Sequence, residues 1–87
     1  MKNYYSTMDN IICTFSDIEE VQGFDEITIR FERQQESGFD FAEGKLPNNM
    51  FYKSYGFSED ELLELEQYMK NNALLIWELA REVKNIA

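Results

Sequence analysis

Carboxylates are the side chains of this chain whose number and spacing could support chemistry. The first cluster contains Asp17, Glu19, Glu20, Asp25 and Glu26, and the second contains Glu59, Asp60, Glu61, Glu64 and Glu66. Paired carboxylates act as acid and base in glycoside hydrolysis. Carboxylates without any co-reactive group make a weak active site, however. The clusters therefore predict a hydrated, acidic surface, and we expect that the protein is not an enzyme.

Histidine and cysteine, two residue types common in active sites, are almost absent. The sequence has no histidine and one cysteine, Cys13. The commonest general base, the Ser-His and Cys-His nucleophile pairs and the His-containing zinc sites are thereby excluded. The four glycines form no phosphate-binding loop. We predict no metal and no cofactor, and we interpret Cys13, which lies in an apolar run, as a buried small hydrophobe.

The charge balance narrows the choice of partner. Acidic residues number 17 against 8 basic ones, for a net charge of −9. Such a chain is poorly suited to bind nucleic acid or anionic membranes directly. We expect instead a protein partner with a basic surface. The candidate partner-binding residues are Glu59, Asp60, Glu64 and Glu66, joined by Asp17, Glu19 and Glu20 if the fold brings them near.

Two functions fit this surface. The first is a small acidic, non-enzymatic protein-interaction module of bacterial or mobile-element origin. The alternative is a nucleic-acid mimic of the kind that phages make against restriction or CRISPR nucleases. A site that attracts phosphates with Lys and Arg also attracts well-spaced carboxylates, so an acidic protein can block it.

The first half of the chain predicts strands. The segment 11–15 is a short apolar run rich in β-forming residues, and the segments 26–33 and 39–44 alternate apolar and polar side chains. In the second segment the isoleucines and phenylalanine share one face. We expect Phe39 and Phe41 to join that same face across a hairpin.

The second half predicts helix. Pro47 is expected to close the sheet region, and 48–56 could form one or two helical turns. The sequence "SEDE" is typical of a capping box, in which Ser58 and Glu61 exchange hydrogen bonds at the start of a helix.

An apolar repeat continues from this cap to the end of the chain. Its members are Leu62, Leu65, Met69, Ile76, Leu79, Val83 and Ile86. Asn72 occupies an apolar slot of the repeat, so 58–86 is either one helix or two, and a break at Asn71–Asn72 is slightly favoured. Leu74, Leu75 and Trp77 predict a second buried stripe. Trp77 fits a core position better than an interface, although a homodimer through the long helix is possible.

Together these patterns predict one domain, 1–87, with a sheet region at about 8–46 and a helical region at about 48–86. The expected fold is α+β: a small antiparallel sheet of two to three strands, followed by one long or two consecutive helices packed on one face. We expect a cytoplasmic protein, because no stretch has the pattern of a signal peptide or a membrane span.

The segments "EGKLP" (43–47) and "YGFSEDELLELEQYMKNN" (55–72) carry a resemblance. Over its second half, 39–83, the chain resembles a short bacterial domain-of-unknown-function family. That family has a β-rich front with a P-H-x-H motif, an E-G-K-L-P-like exit and a G-F-S-x-x-E-L helical tail. Its genes often lie in toxin–antitoxin-like pairs. The resemblance implies a β-then-α fold, and it transfers no functional residue because the His motif is missing here.

Overall fold

The computed structural model describes residues 2–86, which form one antiparallel sheet and one helix. The elements are β1 (Lys2–Met8), β2 (Ile11–Ser16), β3 (Glu19–Val21), β4 (Phe24–Gln35), β5 (Gly38–Leu46), β6 (Met50–Tyr55) and α1 (Glu59–Ile86). The predicted α+β class is confirmed, but the sheet has six strands and not two to three. Sheet residues therefore extend over 2–55, and the helical region begins at Glu59.

The strand order is β1-β2-β4-β5-β6, with β3 pairing β4 beside this path. The chain thus forms an antiparallel meander in which β3 lies in the connection between β2 and β4. The β1–β2 turn places Asp9 and Asn10 at φ 49° and 66°, and the β3–β4 turn places Gln22 and Gly23 at 54° and 85°. Two successive positive φ values give the turn twist that two-residue hairpins favour.

The prediction of helical turns at 48–56 was wrong, because this segment contains β6. Asn49 adopts φ 59°, and its amide donates a hydrogen bond to the Lys45 carbonyl at 2.8 Å. The chain reverses there and pairs with β5 from Lys45↔Met50 to Phe41↔Tyr55. Three of the six residues of β6 are aromatic, a composition that favours strand.

The register of β4 and β5 separates two faces of the sheet. Phe31 pairs with Ala42, and Ile29 pairs with Gly44, so these residues share the face that the helix covers. Phe39 and Phe41 belong to the opposite, uncovered face, and their predicted placement was wrong. The space at Gly44 is limited: an added Cβ would lie 2.8 Å from the Met50 carbonyl oxygen, 3.0 Å from Phe51 Cδ1 and 3.2 Å from the Met69 Cε of the helix. A large side chain is excluded at this position, and the period of two then places Phe39 and Phe41 on the other face.

Helix α1 runs without interruption through Asn71–Asn72, so the favoured break was wrong. The core consists of buried residues from β2, β4, β5 and the inner side of α1: Cys13, Phe15, Ile27, Ile29, Phe31, Leu46, Leu65, Met69, Ile76 and Ala80. Trp77 packs partly buried against it, whereas Leu74 is 72% exposed and Leu75 is also exposed. The predicted second buried stripe is therefore wrong for both leucines, because the sheet covers one side of the helix alone.

The start of α1 has the predicted capping box. The Glu61 amide donates to Ser58 Oγ at 3.1 Å, and the Ser58 amide donates to Glu61 Oε1 at 2.9 Å. Glu61 also accepts from Arg33 of β4, so the same carboxylate fixes the helix to the sheet. The Ile86 side chain lies outside what the structure describes. Within residues 2–86 no helix combines the length and the apolar character needed to cross a membrane.

Candidate protein-binding surface

The hairpin of β3 and the first residues of β4 stands apart from the main sheet. We call residues 19–26 the acidic hairpin. Within the described chain, β3 pairs with β4 alone, and all three of its residues are exposed. Its pairs are Glu19↔Glu26, Glu20↔Asp25 and Val21↔Phe24.

The first two of these pairs bring like charges face to face. Directly opposite Cβ atoms on antiparallel strands lie about 4.5–5.5 Å apart, and like charges at that distance destabilise the pairing. The Lys45 ammonium lies 3.3 Å from Glu26 and offsets part of the repulsion at one pair. Glu20 and Asp25 are both exposed, and their side chains lie on the side of the hairpin opposite to those of Glu19 and Glu26.

The tip of the acidic hairpin is apolar. Phe24 is 75% exposed and Val21 is 41% exposed, although such side chains are normally drawn into a core. Together with Pro47 and Asn48 they line a surface cavity of about 350 Å³. The hairpin therefore presents an exposed phenylalanine next to facing carboxylates.

The base of the acidic hairpin is well anchored. Asn3 of β1 donates to the Asp17 carboxylate and to the Phe15 carbonyl, each at 3.1 Å. Ser16 Oγ accepts from the Thr28 amide at 2.9 Å. Asp17 was predicted to bind a partner together with Glu19 and Glu20. Its carboxylate is instead partly buried, and it holds β1 beside the hairpin. Glu19 and Glu20 are the members of that group that face solvent.

The other predicted residues lie at the far end of the sheet. Glu59, Asp60 and Glu64 are exposed on α1, while Glu66 is 3.8 Å from Lys70 in an i,i+4 ion pair. The helix start is tied to Arg33, which is seven residues along β4 from Glu26. Seven residues of strand span about 23 Å. The fold therefore does not bring the two predicted groups together.

A cluster of ion pairs at the helix start, centred on Arg33, was not predicted. Arg33 contacts both Asp40 and Glu61, and the Gln35 amide donates to Asp40 at 2.8 Å. The hydrogen bonds from Arg33 and the Ser58 amide lower the pKa of Glu61 to about 2. Those from Gln35 and Arg33 lower the pKa of Asp40.

This cluster is structural in character. A Cβ at Gly56, which has φ +88°, would overlap the Asp40 carboxylate, so little space remains for a ligand. The loop, the helix start and two strands meet at these ion pairs, which hold α1 in position.

The one cysteine of the chain, Cys13, is buried in the core. Burial of Cys13 raises the pKa of its thiol to about 12, so the thiolate is disfavoured. Among residues 2–86, no three side chains of the metal-binding types gather into a metal site.

Comparison with protein-family models, with curated proteins and with solved structures finds no match to this chain.

Proposed function

We propose that this chain is a small, non-enzymatic protein-interaction module, and that its acidic hairpin binds a basic partner protein. One observation carries the proposal: carboxylates face carboxylates on both sides of the hairpin ladder, next to an exposed Phe24. Opposite charges or apolar pairs at these positions would stabilise the strands better. A partner that supplies cations there relieves the repulsion, so binding accounts for an arrangement that folding disfavours.

The partner should offer arginine or lysine on either side of an apolar depression. Arginine is especially suitable, because its guanidinium forms bidentate hydrogen bonds with carboxylates. The Phe24 ring would enter the depression and the carboxylates would surround it. The net charge of −9 would also accelerate the encounter with a basic protein at low ionic strength.

The test is a double substitution, Glu20→Gln with Asp25→Asn. It removes one facing pair that lies away from Lys45. We expect binding to the partner to be lost while the protein becomes more stable, by about 0.2–1 kcal/mol, the usual size of a cross-strand pair effect. The partner is first captured from host lysate at low and at high salt, and binding is then measured by calorimetry with the purified pair.

The matched control is Glu59→Gln with Asp60→Asn. It changes the net charge by the same amount, but it lies in the first turn of α1, where the helix dipole favours acidic residues. In this control, binding should persist and stability should fall. In the hairpin variant, by contrast, binding should be lost and stability should rise. If the neutral hairpin binds the partner as tightly as the wild type, the proposal is wrong.

Nucleic-acid mimicry is the second candidate, and the helix supplies its supporting observation. Asp60, Glu64, Glu78 and Glu82 are all exposed and recur on the outward side of α1 at helical spacing. On this alternative, neutralising Glu59, Asp60, Glu64 and Glu66 together abolishes binding, and DNA or RNA competes for the same site on the target. Retention of the partner by that variant at high salt would eliminate mimicry, because screening weakens exposed ion pairs.

A further inference from the structure

We propose that the uncovered face of the sheet is a self-association surface, and that two copies of the chain pack face to face through it. We call this surface the open face. Its apolar and aromatic members are Tyr4, Ile12, Phe39, Phe41, Met50, Tyr52 and Tyr55, and its charged members are Lys2, Glu26, Arg30, Glu32, Glu43, Lys45 and Lys53.

The charge of the open face selects a second copy as the occupant. The face holds four basic and three acidic side chains, whereas the whole chain has 8 basic and 17 acidic ones. Elsewhere the molecule is strongly negative, and two copies would repel each other there. A basic partner is drawn to the acidic hairpin or to the helix. The nearly neutral open face is where two identical acidic chains can meet.

The charges of the open face are already paired within one chain. Arg30 lies 2.8 Å from Glu32 and 2.5 Å from Glu43, and the Tyr52 hydroxyl donates to Glu43 at 2.7 Å. Desolvation and this hydrogen bond raise the pKa of Tyr52 to about 12. Covering unpaired charges is costly, but these groups keep their partners when water is removed. The occupant can therefore contribute apolar surface and needs no counter-charge.

The size and composition of the open face fit an interface. Phe39 is 49% exposed and Ile12 is 45% exposed, and the Arg30 guanidinium lies 4.5 Å above the Phe41 ring. Tyrosine, phenylalanine and arginine are the residues that interfaces enrich. Five strands at about 4.8 Å spacing and six residues of length give a patch of roughly 500 Å² in projection. Two copies packed face to face would bury about 1,000 Å² in total, which is the lower limit for a specific interface, so we expect a weak dimer whose population depends on concentration.

The test measures oligomeric state by sedimentation over a wide range of protein concentration. The wild type should dimerise, and Ile12→Thr with Phe39→Ser should remove the dimer without adding charge. The control is Leu74→Glu, which alters a more exposed apolar residue on the outer side of α1 and should leave the dimer intact. Raising the salt should preserve or strengthen association, since it screens repulsion between two chains of net charge −9.

A measurement on the unmodified chain keeps the proposal testable even if a variant misfolds. On dilution, amide resonances of Thr14, Phe39 and Tyr52 should shift in NMR spectra, whereas that of Phe24 should not. A wild type that stays monomeric at every concentration overturns the proposal, and so does loss of the dimer in Leu74→Glu alone, which would place the contact on the helix. The hairpin variant Glu20→Gln/Asp25→Asn should still dimerise, so failure of this proposal is distinct from failure of the proposed function.

Discussion

Asn72 gives the sharpest test of the packing between helix and sheet. It lies between Met69 and Ile76 in the apolar repeat of α1, so the repeat alone predicts that leucine would stabilise this position. The structure predicts the opposite. The Tyr5 hydroxyl donates to Asn72 Oδ1 at 2.5 Å, and Asn72 Nδ2 donates to the Tyr68 carbonyl at 2.8 Å.

The size of the effect follows from the partners that the substitution removes. Asn72→Leu leaves the partly buried Tyr5 hydroxyl without its acceptor, which costs about 1–3 kcal/mol. Partial burial of the new leucine returns about 1 kcal/mol. We expect a net loss of about 1 kcal/mol, or a Tm lower by about 4–8 °C in a domain of this size. Tyr5→Phe alone should cost about 1 kcal/mol.

The double variant Tyr5→Phe/Asn72→Leu tests whether the loss comes from the unpaired Tyr5 hydroxyl. Replacing both partners by apolar groups leaves nothing unsatisfied, so its stability should return to that of the wild type or exceed it. Urea unfolding of the four proteins, followed by circular dichroism, gives the coupling energy. We expect about 1–2 kcal/mol of coupling, within the usual range for residues in contact. The reasoning is refuted if Asn72→Leu alone is stabilising, or if the two changes add to within about 0.5 kcal/mol.

The other predictions concern the start of α1. Ser58→Ala should lower stability by about 1 kcal/mol through loss of the cap, and an unchanged thermal melting curve would contradict this role. Glu61 has its pKa lowered from 4.5 to about 2 by Arg33 and the Ser58 amide, so its ion pair contributes fully above pH 4.5 and is lost as the pH falls toward 2. Acid titration of stability should therefore show a smaller drop over this interval for Glu61→Gln than for the wild type; parallel curves would exclude the linkage.

The parts of the fold that the sequence predicts are those with a local cause. The strand at 11–15 is an apolar run of β-forming residues, the strand at 26–33 alternates clearly, and the capping box depends on residues three apart. Strands β1 and β6 lie at the edges of the sheet, where one side of the ladder is unpaired and the hydrophobic alternation is weak. The turn residues Asp9 and Asn10 carry the one signal for β1, because both tolerate positive φ.

Which face a strand buries depends on the tertiary contact. The period of two in 39–44 is clear, but the larger side chains of Phe39 and Phe41 suggested the wrong face. The close approach of Met50, Phe51 and Met69 to Gly44 decides it in favour of the face that holds Ala42 and Gly44, and a single strand contains no information about that approach.

The relative positions of the candidate binding residues also depend on tertiary contacts that the sequence does not reveal. Charge counting locates both acidic groups, yet the distance between them is set by the position of α1 along the sheet. Phe24 was not singled out from the sequence, although it follows the Gln22–Gly23 turn and is flanked by acids on both strands. A large apolar residue beside a tight turn, with acids around it, is the signal that would have located the hairpin tip.

The strand order has a consequence for how quickly the chain folds. The β1–β2, β4–β5 and β5–β6 pairs are each closed by a turn of two or three residues, and the β2–β4 connection itself contains the β3–β4 hairpin. The sheet can therefore assemble through successive hairpins, and a hairpin forms in about 1–10 μs. Packing of the helix against β1 involves residues far apart in the sequence, since Tyr5 and Asn72 are 67 residues apart. Bringing them together is slow, because the chain loses the entropy of a long loop before any stabilising contact forms. Substitutions at Tyr5 or Asn72 should therefore act mainly on the unfolding rate, whereas substitutions in the β4–β5 hairpin should slow folding.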